Sequence, residues 1–271
     1  MKSRSTCALI ATFAAVVLFA SNSSADHSWG GYHWARTSNP FTLKAGDNVD
    51  ANWEAYLVEA IEDWNEAPEF DLVKVAGGNR TPKNCRPTTG RIEVCNAKYG
   101  NTGWLGIAQI WITGGTHITQ AITKLNDTYF STAAYNTPAW RRLVTCQEIA
   151  HDFGLDHQDE AFDNPNLGSC MDYTSDPGGP PSNEHPNNHD FDQLSIIYAH
   201  LDSTTTIGSA LPSSAPSAMS DLEPEGPGQW GRLVKSTRNG RGQTYELDFG
   251  RGHKIVTHVF WADQSADGRG R

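Results

Sequence analysis

Residues 147–157 read Gln147-Glu148-Ile149-Ala150-His151-Asp152-Phe153-Gly154-Leu155-Asp156-His157. On a helix, side chains at i and i+4 stand one above the other, so Gln147 and His151 can face a single metal ion. The carboxylate of Glu148, between them, can take a proton from a water that such an ion polarises. Gly154 permits the left-handed break a helix needs for its chain to turn back, and His157 can then return as a third ligand. A glutamine amide oxygen can sit about where an imidazole nitrogen would, although a neutral amide is a poorer zinc donor than imidazole. The residue types therefore imply metal-assisted hydrolysis, with Gln147, His151 and His157 as metal ligands and Glu148 as general base.

The stretch resembles the extended metzincin signature H-E-x-x-H-x-x-G-x-x-H at every specified position but the first. Downstream, Ser169-Cys170-Met171-Asp172-Tyr173 resembles the Met-turn that floors the metal in that family. The resemblance implies a zinc-dependent endopeptidase acting on protein or peptide substrates. It also implies a role for Tyr173 close to the metal or to the oxyanion of the tetrahedral intermediate, as in the astacin and serralysin versions of the turn, and either Tyr173 or Asp172 could add a ligand. A catalytically silent metzincin-fold binding protein is the alternative from another class. Four cysteines lie outside the amino-terminal leader, and they allow three connectivities. In the fold that the resemblance implies, Cys146 and Cys170 are neighbours, so it favours the local pairs Cys146 with Cys170 and Cys85 with Cys95.

The elements that must position these residues form an α+β pattern. Trp53, Leu57, Ala60, Ile61 and Trp64 recur at helical spacing and predict an amphipathic amino-terminal helix. Strands are expected at Phe70 to Val75, at Arg91 to Cys95 and, around a Gly114-Gly115 turn, within 104–125. Thr137-Pro138 predicts the start of the motif helix and Gly154 its end. A last helix is expected from Asp190 as N-cap, burying Phe191, Leu194, Ile197, Tyr198 and Leu201. Together these predict a metzincin-like domain over 26–202 with a mixed sheet, an N-terminal helix, an active-site helix and a C-terminal helix. Residues 203–229, rich in Ser, Pro and Gly, read as a linker. Residues 230–271 read as a small β appendage, basic where the remainder is acidic.

Lys2 and Arg4 precede an apolar run from Cys7 to Ala20, and Ser23-Ser24-Ala25 offers small residues for cleavage, so residues 1–25 are expected to be a secretory signal peptide. The protein is then expected to be secreted, without stable membrane insertion. The chain holds 21 basic and 31 acidic residues; loss of Lys2 and Arg4 leaves 19 against 31, an acidic balance that argues against nucleic acid as partner. Asp159, Glu160, Asp163, Asn164 and Asn166 have the oxygen atoms for calcium, although solvated loop acids are the expected reading. His185 and His189, in a Pro/Asn loop, and His117, in a strand, are expected to be structural.

Overall fold

The computed structural model describes residues 27–220 and 222–263, so the expected signal peptide lies outside the described residues. The short strand β1 (His33–Trp34) leads to β2 (Phe41–Asn48), where Phe41, Leu43 and Ala45 alternate inward. Helix α1 (Glu54–Trp64) buries Leu57, Ala60, Ile61 and Trp64, the stripe its spacing predicts. Strands β3 (Phe70–Ala76), β4 (Ile92–Ala97), β5 (Trp104–Thr113) and β6 (His117–Asn126) follow, the last two joined at Gly114 and Gly115, both with positive φ. After the single turn α2 (Asp127–Phe130) comes the motif helix α3 (Pro138–His151), then α4 (Asn188–Ile197), the turn α5 (Ser217–Ser220) and strands β7 (Arg232–Ser236), β8 (Gly242–Gly250) and β9 (His253–Trp261).

One mixed sheet of nine strands runs β3-β2-β4-β6-β5-β9-β8-β7, with β1 also paired to β6. Pairings from β3 through β6 are parallel, and from β6 to β7 every pairing is antiparallel. The carboxy-terminal strands, expected as a separate appendage, extend this same sheet. All ten residues of β5 are buried, so β5 could not remain an open edge, and β9 pairs with it from Trp104 to Ile112. The segment expected as a linker is also ordered against the sheet: the Trp111 indole donates to Met219 O, and Gln109 and the Trp230 indole both donate to Pro224 O. A composition poor in apolar side chains contributes backbone carbonyls here instead.

Local chemistry fixes both ends of α3. Thr137 accepts a hydrogen bond from Trp140 N, Pro138 occupies the first turn, and the helix closes at His151 with Asp152 as C-cap, slightly before the glycine. Gly154 has φ +99°, and a Cβ there would lie 2.0 Å from Tyr32 O, so both backbone and space demand glycine. α4 begins one turn earlier than expected. Its N-cap is Asn187, while Asp190 is the N3 partner whose carboxylate returns to the Asn187 N–H in a capping box. α3 packs across β5 and against α1, where the Trp64 indole donates to Cys146 O at 3.1 Å. The two disulfides join Cys85 to Cys95 and Cys146 to Cys170.

Candidate metal centre

Helical periodicity puts Glu148 and His151 on the face of α3 that meets β5, and the turn at Gly154 carries His157 back to them. The Nε2 atoms of His151 and His157 stand 3.2 Å apart. A tetrahedral ion with bonds of about 2.0–2.1 Å separates its ligand nitrogens by about 3.3 Å, so this spacing fits one shared cation. The outer nitrogens are committed elsewhere: His151 Nδ1 lies 2.7 Å from Leu155 O and His157 Nδ1 lies 3.1 Å from Asp156 Oδ1. Both oxygens accept from Nδ1–H, which leaves each Nε2 lone pair facing inward, the usual outer-shell arrangement of metal-binding imidazoles.

A third imidazole joins them from β9. His258 pairs in register with Ala108 of β5, and His151, His157 and His258 place ligand atoms within 4.8 Å of one another. His258 Nδ1 lies 3.0 Å from Glu148 Oε2, and its Nε2 lies 2.7 Å from the Tyr173 hydroxyl. This histidine escaped the sequence reading, because the motif search stays near α3 while strand pairing delivers His258 from the carboxy-terminal segment. The available signal was a pattern one histidine short, followed by a histidine inside a predicted strand.

Gln147 keeps its place on α3, fully buried. Its Nε2 donates to Cys170 O at 2.8 Å, tying the helix to the turn that carries Met171, and its Oε1 is buried with no protein partner. Met171 is fully buried. The Tyr173 ring stacks on His157 with centroids 4.1 Å apart and on Phe162 at 4.6 Å. Gly242 of β8 makes room for it, since a Cβ there would lie 2.1 Å from the Tyr173 hydroxyl. Gly106 does the same for Glu148, whose Oε1 would lie 2.8 Å from an added Cβ.

Burial governs the protonation of these groups. Burial first and the Asp152 carboxylate second push Glu148 well above its ordinary value, opposed by a backbone bond at Ala108. Burial, reinforced by His157, lowers His151 to about 3, and burial with both neighbouring histidines drives His258 well below its ordinary value. Neutral imidazole is the form that binds a metal. The centre is enclosed: Glu148, His151, Tyr173 and His258 are at most 1% exposed and His157 is 8% exposed. Beside it lies a cleft of about 710 Å³ lined by Glu160, Phe162, Arg238, Arg241, Gln243 and Asp263, with Phe162 standing between cleft and Tyr173.

The remaining candidates lie elsewhere. Glu160 pairs with Lys235, and Asp163 with Arg238, so these two loop acids meet cations of the carboxy-terminal strands. His185 bonds Asp63 Oδ2 through Nδ1 at 2.7 Å, His189 stacks on His27, and His117 faces Asp202.

No protein-family model matches the chain, and no curated protein matches it significantly in sequence. In structure it is similar to high choriolytic enzyme 1, a hatching enzyme zinc-protease from the medaka fish Oryzias latipes, at 12% identity and a TM-score of 0.35, over 65% of this chain and 99% of that one. A likeness this weak leaves the reading to the geometry of the site.

Proposed function

We propose that this chain is a secreted zinc-dependent endopeptidase whose metal is held by His151, His157 and His258. The observation that carries the reading is that His151, His157 and His258 bring ligand atoms within 4.8 Å of one another beside the Glu148 carboxylate. Zinc bound there would polarise the scissile carbonyl and acidify a water. Burial holds Glu148 toward the neutral acid in the metal-free chain; a bound cation would favour its ionised form, in which it would serve as base for a water and return the proton to the leaving amine. Tyr173, fixed between His157 and Phe162, bonds His258 Nε2 in the metal-free chain; with that nitrogen on a metal, its O–H would be released to stabilise an oxyanion. Gln147 braces α3 on the turn below through Cys170 O and keeps Oε1 as a spare oxygen donor. A peptide enters from the cleft beside Phe162. Secretion accords with the two disulfides. No helix among the described residues is long and apolar enough to cross a membrane.

One observation favours the silent binding protein: His258 fills the space between Glu148 and Tyr173, so the polar groups satisfy one another in an enclosed site. Zinc analysis of the full chain, together with cleavage of an unstructured protein with and without chelator, separates the readings. Zinc with chelator-sensitive cleavage supports the peptidase. Zinc without cleavage supports the binding protein, and no zinc at this centre overturns the metal assignment of both.

A further inference from the structure

A second cluster of imidazoles lies at the start of β1. Asp202, just beyond α4, uses its two oxygens differently. Oδ2 accepts from Arg36 N at 3.1 Å and from Arg36 Nη1 at 3.2 Å, which fixes the carboxylate plane. Oδ1 faces three Nε2 atoms, those of His117 at 3.2 Å, His33 at 3.5 Å and His200 at 3.8 Å. The Nε2 atoms of His33 and His200 are themselves 3.2 Å apart.

His33 Nδ1 lies 2.8 Å from Gly31 O, a pure acceptor, so Nδ1 carries the proton and the neutral ring directs an Nε2 lone pair at the Asp202 oxygen. Without metal, that lone pair can accept from His200 Nε2–H and the Asp202 oxygen from His117 Nε2–H; a divalent cation would displace the His200 proton and gather both imidazole lone pairs and the carboxylate oxygen. The separations of 3.2–3.8 Å bracket the edge of about 3.3 Å expected of a tetrahedral ion with bonds of about 2.0–2.1 Å. Imidazole with carboxylate is a zinc-class donor set, and the carbonyl behind His33 and the guanidinium behind Asp202 supply the outer shell. The His200 side chain is 54% exposed, which leaves a path for entry.

We propose that His33, His200 and Asp202, whose ligand atoms lie within 4.8 Å of one another, form a structural site for a zinc-class divalent cation, separate from the centre on α3, with His117 bonded to the Asp202 carboxylate beside it. The ion would clasp β1 to the chain after α4, and His117, paired with His33 across β1 and β6, reaches the same carboxylate. The same amino-terminal segment walls the candidate catalytic centre. Trp29 N donates to Gly154 O at 2.8 Å, and the Trp29 ring lies 5.1 Å from His151. Locking β1 therefore steadies the turn that returns His157.

The test titrates zinc into metal-stripped full chain, reads bound metal by elemental analysis and follows cobalt substitution by its absorption. Wild type is expected to bind two ions per chain. His200→Ala removes one, weakening that site more than about 100-fold, because a direct ligand matters at least as much as an outer-shell partner. A His151→Ala/His157→Ala variant retains one ion, which His200→Ala then abolishes. Unchanged stoichiometry in His200→Ala overturns the proposal and marks the cluster as a hydrogen-bonded one. Should the double variant fail to fold, wild type against His200→Ala decides alone, since the His200 side chain is 54% exposed. A single ion that is lost in His200→Ala upholds this site and refutes the centre on α3.

Discussion

Replacing His258 by alanine removes from the centre its one imidazole on β9. Without metal, the substitution strips the Tyr173 hydroxyl and Glu148 Oε2 of their bonds to His258 at 2.7 and 3.0 Å. A buried polar group left without a partner costs about 1–3 kcal/mol. Glu148 is held toward the neutral acid by burial, so the loss is set near the low end, about 2 kcal/mol. With metal, losing a direct ligand should weaken zinc binding more than about 100-fold, or about 2.7 kcal/mol. Gln147→Ala removes only the bond to Cys170 O, worth about 1 kcal/mol, and should change zinc affinity less than about 10-fold. Both are measured in a His200→Ala background, by competition with a chromophoric chelator on protein whose fold is checked by circular dichroism, with urea unfolding of the metal-free forms. Wild-type zinc affinity in His258→Ala, or a larger loss in Gln147→Ala, would refute the assignment of the third ligand to β9.

Gly154→Ala should destabilise the chain by at least about 3 kcal/mol in urea unfolding, because the added Cβ meets Tyr32 O in a left-handed backbone. Cys146→Ser/Cys170→Ser opens a loop with a sequence separation of 24 residues and should cost about 3 kcal/mol by thermal or chemical unfolding, with weaker zinc binding as α3 parts from the turn beneath it. At Glu184, burial acts upward, but bonds from Arg142 and Ser182 and the Arg142 charge outweigh it and hold the carboxyl below its ordinary 4.5. Its contribution is thus full above pH 4.5 and fades as pH falls through the lower folded value. The stability difference between wild type and Glu184→Gln, under about 1 kcal/mol, should be flat above pH 5 and shrink below about 4.5.

Those parts of the site that depend on neighbours in sequence were legible from it. Thr137-Pro138 and Gly154 bracket α3 because capping and positive φ are local requirements, and the interval from Glu148 to His157 follows from one helical turn and one reversal. His258 was not legible, since its place depends on β9 choosing β5 as neighbour and on the register that sets it opposite Ala108. The path of residues 203–220 and 222–229 was hidden for a related reason: it is held partly by carbonyls at Met219 and Pro224, and every residue type carries one. At α4 the sequence reading took Asp190 as the N-cap and passed over Asn187. The structure uses both, one as cap and the other as its reciprocal partner.

The most direct test of the central claim measures zinc content and cleavage of an unstructured protein side by side for wild type and Glu148→Ala. Glu148 lies beside the three imidazoles and is not counted among the metal's ligands. The account predicts equal zinc in both proteins, chelator-sensitive cleavage by wild type and at least about a 100-fold loss in the variant. Cleavage that survives Glu148→Ala, or wild type that holds zinc at this centre and cleaves nothing, would contradict it.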